Sequence, residues 1–104
     1  MVEKLQEVTE QEWKEVHEFN RQITQEFLEQ QHLSPHTLTQ YSSAIKIFFN
    51  WVRLNCFNKP ITDLKPRDAL RYQNYLMGRG LSSSAVKLKR SAVSSLCGYI
   101  ELYY

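Results

Sequence analysis

The chain has 104 residues, 42% of them apolar and 23% charged, with a formal net charge of +2. That length supports one modest core, burying roughly 60–70% of the surface an unfolded chain exposes, and is short for two ordinary domains. No apolar run reaches the roughly 18 residues of a membrane span, Met1 to Gln11 carry too many charges for a signal peptide, and the isolated Cys56 and Cys97 have no zinc, redox or disulfide spacing.

A soluble, cytoplasmic protein with two buried or half-buried thiols is therefore expected. Three glycines, three prolines and the lack of any long apolar–polar alternation indicate an all-α fold of four helices. The first helix is predicted to start at Thr9, where Thr9-Glu10-Gln11-Glu12 forms a capping box, and to carry Trp13, Val16, Asn20, Ile23 and Phe27 along one stripe. Ser34 caps the second, Pro35 occupies its first position, and Leu38, Tyr41, Ile45, Phe48, Phe49 and Val52 form its core face. Asn55 to Lys65 reads as a connection pinned by Ile61 and Leu64. The third helix runs from about Pro66 to Met77, with Ala69, Leu70, Tyr72 and Leu76 inward, and Gly78-Arg79-Gly80 ends it. The fourth starts at Ser82 or Ser83 and buries Val86, Ala92, Val93, Leu96, Ile100 and Tyr103. Three apolar pairs, Val8 with Trp13, Leu33 with Leu38 and Leu81 with Val86, have the spacing of hydrophobic staples at helix starts.

Charge is distributed unevenly along this framework. Residues 1–33 hold eight acids against three bases, a net −5; residues 34–104 hold ten bases against three acids, a net +7. A basic body suits a polyanionic partner. On a helical wheel Lys87, Arg90, Ser91, Ser94 and Gly98 gather opposite the apolar stripe of the fourth helix. Long cations beside small residues suit close approach to a phosphate backbone. Lys89 falls near the apolar stripe, and its stem is expected to pack while its ammonium stays in water. The second helix leaves His36, Thr39, Ser43, Lys46 and Asn50 outward, and no Asp or Glu occurs from Ser34 to Pro60. Ser34, Thr37, Ser82 and Ser83 mark two helix starts whose free N–H groups suit phosphate, although Ser34 and Ser82 are first of all caps.

The ordered segments Leu33-Ser34-Pro35-His36-Thr37-Leu38-Thr39-Gln40-Tyr41, Gly80-Leu81-Ser82-Ser83-Ser84-Ala85-Val86 and Ser91-Ala92-Val93, separated by the Pro60, Ile61, Leu64 connection, carry a resemblance. Over roughly residues 10–104 the chain resembles the N-terminal core-binding, SAM-like domain of tyrosine recombinases, the family of phage integrases and bacterial chromosome-dimer resolvases. The resemblance implies a four-helix SAM-like bundle forming half of a clamp around a recombination site, with the second and fourth helices crossing at the major groove. Many relatives carry Thr where this chain has Ala85 and Arg where it has Leu88 and Ser94, so those contacts differ here. The family's catalytic residues lie in a separate C-terminal domain, expected after residue 104.

Residues 1–104 are thus expected to be one DNA-binding domain with residues 1–8 flexible, no catalytic residue, no cofactor and no metal. His17, His32 and His36 lack metal spacing, and Tyr103 and Tyr104 lack an activating base. The expected partners are double-stranded DNA and recombinase subunits assembled on it, with no membrane contact and a monomeric isolated domain. The expected DNA contacts are Ser34, His36, Thr37, Thr39, Ser43, Lys46, Ser82, Ser83, Lys87, Arg90, Ser91 and Ser94. The alternative is a helical protein-interaction domain that uses the acidic first helix, because one fold hosts many functions.

Overall fold

The computed structural model describes residues 7–104. Within them lie five α-helices, α1 (Glu10–Glu15), α2 (Glu18–Glu29), α3 (Pro35–Asn55), α4 (Pro66–Gly78) and α5 (Ser83–Tyr103), and a 3-10 turn at Ile61–Asp63. The all-α class follows the periodicity. The expected flexible segment falls mostly on residues 1–6, outside the described residues. No helix among the described residues is long and apolar enough to cross a membrane.

The predicted first helix is two helices, and the reason is local. Its capping box forms as expected: Thr9 Oγ1 accepts the Glu12 N–H at 3.1 Å and Glu12 Oε1 accepts the Thr9 N–H at 3.0 Å. The chain then turns extended at Val16, and His17 caps α2 by accepting the Phe19 N–H on Nδ1 at 3.0 Å. The break frees backbone groups that a continuous helix would pair. Three of them are paired by side chains: Asn58 donates to the Glu15 carbonyl and accepts the His17 N–H, both at 2.9 Å, and Arg21 Nε donates to the Val16 carbonyl at 3.0 Å. Val16 itself is buried.

α3 is the central rod, in contact with α1, α2 and α5. Ser34 Oγ accepts the Thr37 N–H and Pro35 opens the helix, as predicted. Besides the expected stripe, Ala44, Ile47 and Trp51 are buried, so α3 is apolar over most of its circumference. Only a narrow polar strip is left, running through Thr39, Ser43, Lys46 and Asn50. After α3 the chain reverses through Phe57 and Asn58, both left-handed at φ 58° and 54°. The buried Asn20 amide fixes the return, donating to the Lys59 carbonyl at 2.8 Å and accepting the Ile61 N–H at 2.7 Å.

α4 buries Asp68, Tyr72 and Leu76. Ala69 and Leu70, expected in the core, are exposed, Leu70 by 57%. The Tyr72 ring sets the inward face against Phe48 and Trp51, with centroids 4.9 and 5.2 Å away. Two residues correspond to about 200° of helix, so Leu70 points to solvent. Gly80, at φ 76°, supplies the left-handed residue beyond the end of α4.

Ser82 caps α5, accepting the Ala85 N–H at 3.2 Å. Ala92 and Leu96 are its buried residues, with Val86, Val93 and Ile100 partly buried against the core. Tyr103 is 65% exposed where burial is expected, because Tyr99 one turn earlier takes the inner place against Phe27 and Tyr103 packs on Tyr99. Cys56 is buried but Cys97 is exposed, since its neighbour Leu96 takes the core position.

Candidate nucleic-acid interface

The twelve predicted contact residues fall into two groups. On α5, Lys87, Arg90, Ser91 and Ser94 line one open hollow together with Ser95. Lys87, Arg90 and Ser94 are exposed and Ser91 half-buried. No acid lines this hollow. Ser95 was not among the predicted residues, yet it stands one turn after Ser91 and two after Lys87, a spacing that marks it as a neighbour. Lys87 and Arg90 also border a second hollow, floored by Met77, Leu81 and Val86, between α4 and α5. The Leu81–Val86 pair therefore shares a surface at the start of α5, where a staple is expected.

Helix starts divide the same way. α1, α2 and α4 each carry an acid in the first turn, where negative charge compensates the positive end of the helix. α3 and α5 carry none. Ser82 and Ser83 are exposed at the start of α5, and Ser34 and His36 at the start of α3, with Thr37 half-buried. Ser34 Oγ donates to Thr37 Oγ1 at 3.0 Å, so these two hydroxyls are already paired with each other.

The α3 group is less open. Thr39, Ser43 and Lys46 line one hollow, as predicted, but Glu7, Val8, Leu28 and Leu38 line it too. Thr39 is exposed and its hydroxyl donates to the Pro35 carbonyl at 2.9 Å, while Ser43 and Lys46 are half-buried. The Lys46 ammonium lies 5.7 Å from the centre of the Trp13 ring, within cation–π range. Asn50 donates to Glu12 Oε2 at 3.4 Å and accepts from Arg53 Nε at 3.0 Å. Contact with the short acidic α1 is not expected from the sequence, whose periodicity makes α1 and α2 one helix.

Lys89 is half-buried, and burial holds its ammonium below the usual lysine value, so it is less solvated than expected. His17 is a cap and His32 and His36 are exposed, in line with surface or capping roles. At the C-terminal end Tyr104 packs edge-on against Phe19 and its hydroxyl donates to Glu26, which joins the last turn of α5 to α2.

Residues 21–101 match the family described as phage integrase, N-terminal SAM-like domain. The chain is also 44% identical over 98 residues to the SPbeta prophage-derived recombinase-like protein YomM of Bacillus subtilis (strain 168). That alignment covers 94% of this chain and 29% of the relative, so the chain spans under a third of the relative's length. No solved structure gives a significant match. With more than three quarters of its length inside the family match, the chain belongs to the phage integrase N-terminal SAM-like domain family.

Proposed function

We propose that residues 1–104 form the DNA-gripping domain of a site-specific tyrosine recombinase, which holds recombination-site duplex with α5 and α3 and positions a separate catalytic domain. The observation that carries this reading is the outer face of α5, where exposed Lys87 and Arg90 flank Ser91, Ser94 and Ser95 with no acid in the hollow. Cations there neutralise phosphates and release counterions, while the serines leave room for the backbone and offer hydroxyls to its oxygens. The acid-free starts of α3 and α5 add partial positive charge on the same two helices. The domain contributes binding and orientation, and strand exchange belongs to residues elsewhere in the parent protein. Such a protein works in the bacterial cytoplasm on phage or chromosomal DNA.

Titration of a labelled duplex at several salt concentrations tests this. Affinity is expected to fall steeply with salt, and replacing Lys87 and Arg90 together by Ala to flatten the slope by about one unit per lost phosphate contact. Absence of salt-sensitive binding at roughly tens of micromolar contradicts the proposal, because non-specific affinity alone reaches that range.

A second reading, protein interaction, is favoured by a different observation: Phe57 is 91% exposed and Leu54 64%, both at the far end of α3 from Ser34. Recombinase subunits assembled on DNA are the natural partner, with the acidic α1–α2 face as a further contact. Replacing Glu15 and Glu18 is expected to weaken assembly on multi-site DNA while leaving single-site binding intact; equal loss of both contradicts that division.

A further inference from the structure

We infer that the acidic segment Glu7–Trp13 is an intramolecular strap over α3 that competes with duplex DNA for the strip Thr39, Ser43, Lys46 and Asn50. The inference rests on the DNA-binding role proposed above. The segment lies beside the strip along its length and meets it at Lys46 and Asn50. Glu7 and Val8 line the hollow that holds Thr39, Ser43 and Lys46. Further along, the Trp13 ring covers the Lys46 ammonium and Glu12 takes the Asn50 amide. α3 has no acid anywhere along its length, whereas residues 7–15 bring Glu7, Glu10, Glu12 and Glu15 against the single Lys14. The segment therefore presents to α3 what a phosphate backbone would present: closely spaced negative charge facing Lys46, Arg53 and several neutral donors. The two cannot occupy the strip together, because ring and carboxylates stand where phosphates would approach.

The strap is built to lift. α1 has six residues and buries none of them. Its half-buried Trp13 packs on the rim of the core and meets Phe49 at a tilted 6.5 Å, and its polar links to α3 include a 3.4 Å hydrogen bond and a 5.7 Å cation–π contact. Long polar contacts of this kind are weak, and the charged ones are screened by salt. The extended residues Val16 and His17 separate α1 from α2, and Asn58 holds that junction in place, so α1 can lift about a fixed point while α2 stays packed on α3. Duplex held first by the open α5 face would then displace the strap from α3, and the cost of displacement would weigh against DNA that engages only one helix.

Two double variants of the full chain test the inference. Glu7→Gln with Glu12→Gln removes the charges facing α3 but keeps a capping box, since Gln serves at that position as Glu does. Glu10→Gln with Glu15→Gln makes the same change in net charge elsewhere on the segment. Duplex affinity at low salt is expected to rise about three- to tenfold in the first variant and less than twofold in the second. In the unmodified sequence carrying 5-fluorotryptophan, the Trp13 fluorine signal is expected to shift on adding duplex while the buried Trp51 signal stays. Equal gains in both variants, or a Trp13 signal unmoved by saturating duplex, overturn the strap and leave the DNA-binding role standing. Failure of all three proteins to bind duplex overturns the DNA-binding role itself.

Discussion

Asn58 accepts the backbone N–H of His17 across 41 positions of sequence, and its amide returns a hydrogen bond to the carbonyl of Glu15. One side chain thereby closes the gap between α1 and α2 from outside both helices, and it does so from a left-handed backbone that Asn tolerates better than most residues. Replacing Asn58 by Ala removes both bonds and leaves a methyl side chain at positive φ. A loss of about 2–3 kcal/mol is expected. Asn58→Gly keeps the backbone conformation and loses only the bonds, so it should cost about 1–2 kcal/mol. Urea unfolding of the two variants separates hydrogen bonding from backbone strain; identical midpoints would show that strain contributes nothing.

That contact also shows where a reading of the sequence stops. Helix class, caps and the α3 core were legible because each depends on neighbours in the chain: Thr9 with Glu12, Ser34 with Thr37, Ser82 with Ala85. The face of Lys87, Arg90, Ser91 and Ser94 was legible for the same reason, being a product of one helix's period. The break at Val16–His17 was not, because an unbroken stripe from Trp13 to Phe27 hides it and its partner Asn58 is far along the chain. The cover that α1 places over Lys46 and Asn50 depends on that break and was hidden with it. Leu70 misled for a converse reason. Hydrophobicity alone placed it inward, while the bulk of Tyr72 between Phe48 and Trp51 decided which way α4 faces.

Phe57 combines two costs, a bulky side chain at φ 58° and 91% exposure of its ring. Among the described residues, no ring or hydrogen-bond contact of its side chain offsets either. Phe57→Gly removes the steric penalty of the left-handed conformation and is expected to stabilise the domain by about 0.5–1 kcal/mol, even though glycine gains freedom in the unfolded chain. In a domain of this size that corresponds to roughly 2–8 °C in Tm. A lower Tm would mean that the ring stabilises the turn through packing. Should the variant be more stable yet assemble poorly on multi-site DNA, the strained aromatic is kept for a partner.

Asp68 is buried at the start of α4, where it accepts the Lys65 N–H at 2.9 Å and meets Arg71 at 3.3 Å. The backbone hydrogen bond first, and the Arg71 guanidinium after it, hold its carboxyl below the ordinary aspartate value despite burial. A carboxyl lowered on folding stabilises the folded state above its unfolded pKa, and the stabilisation disappears as pH falls through the folded pKa. Glu12, lowered by its bonds to Thr9, acts in the same direction. Stability should therefore fall on acidification from about pH 5 downwards. Asp68→Asn keeps an acceptor for Lys65 but has no proton to gain, so its stability should be lower near neutrality and flatter in acid. Urea midpoints measured across that range decide it; parallel curves for the two proteins would assign the acid sensitivity elsewhere.

Ser94 offers the most direct gain-of-function test of the α5 face. It is exposed on the hollow that contains Lys87 and Arg90. Ser94→Arg adds a cation one turn beyond Arg90, with no acid in the hollow to capture it. If this face meets the phosphate backbone, the new guanidinium should add one phosphate contact, steepening the dependence of log affinity on log salt by about 0.9. Its effect should be largest at low salt and nearly independent of DNA sequence, because phosphate contacts position without reading bases. Ser84→Arg, an exposed change near the start of the same helix and outside the hollow, adds equal charge. A larger slope change for Ser94→Arg than for Ser84→Arg locates the backbone against the hollow. Equal changes would reduce the effect to net charge, and α5 would lose its claim to a specific seat on the duplex.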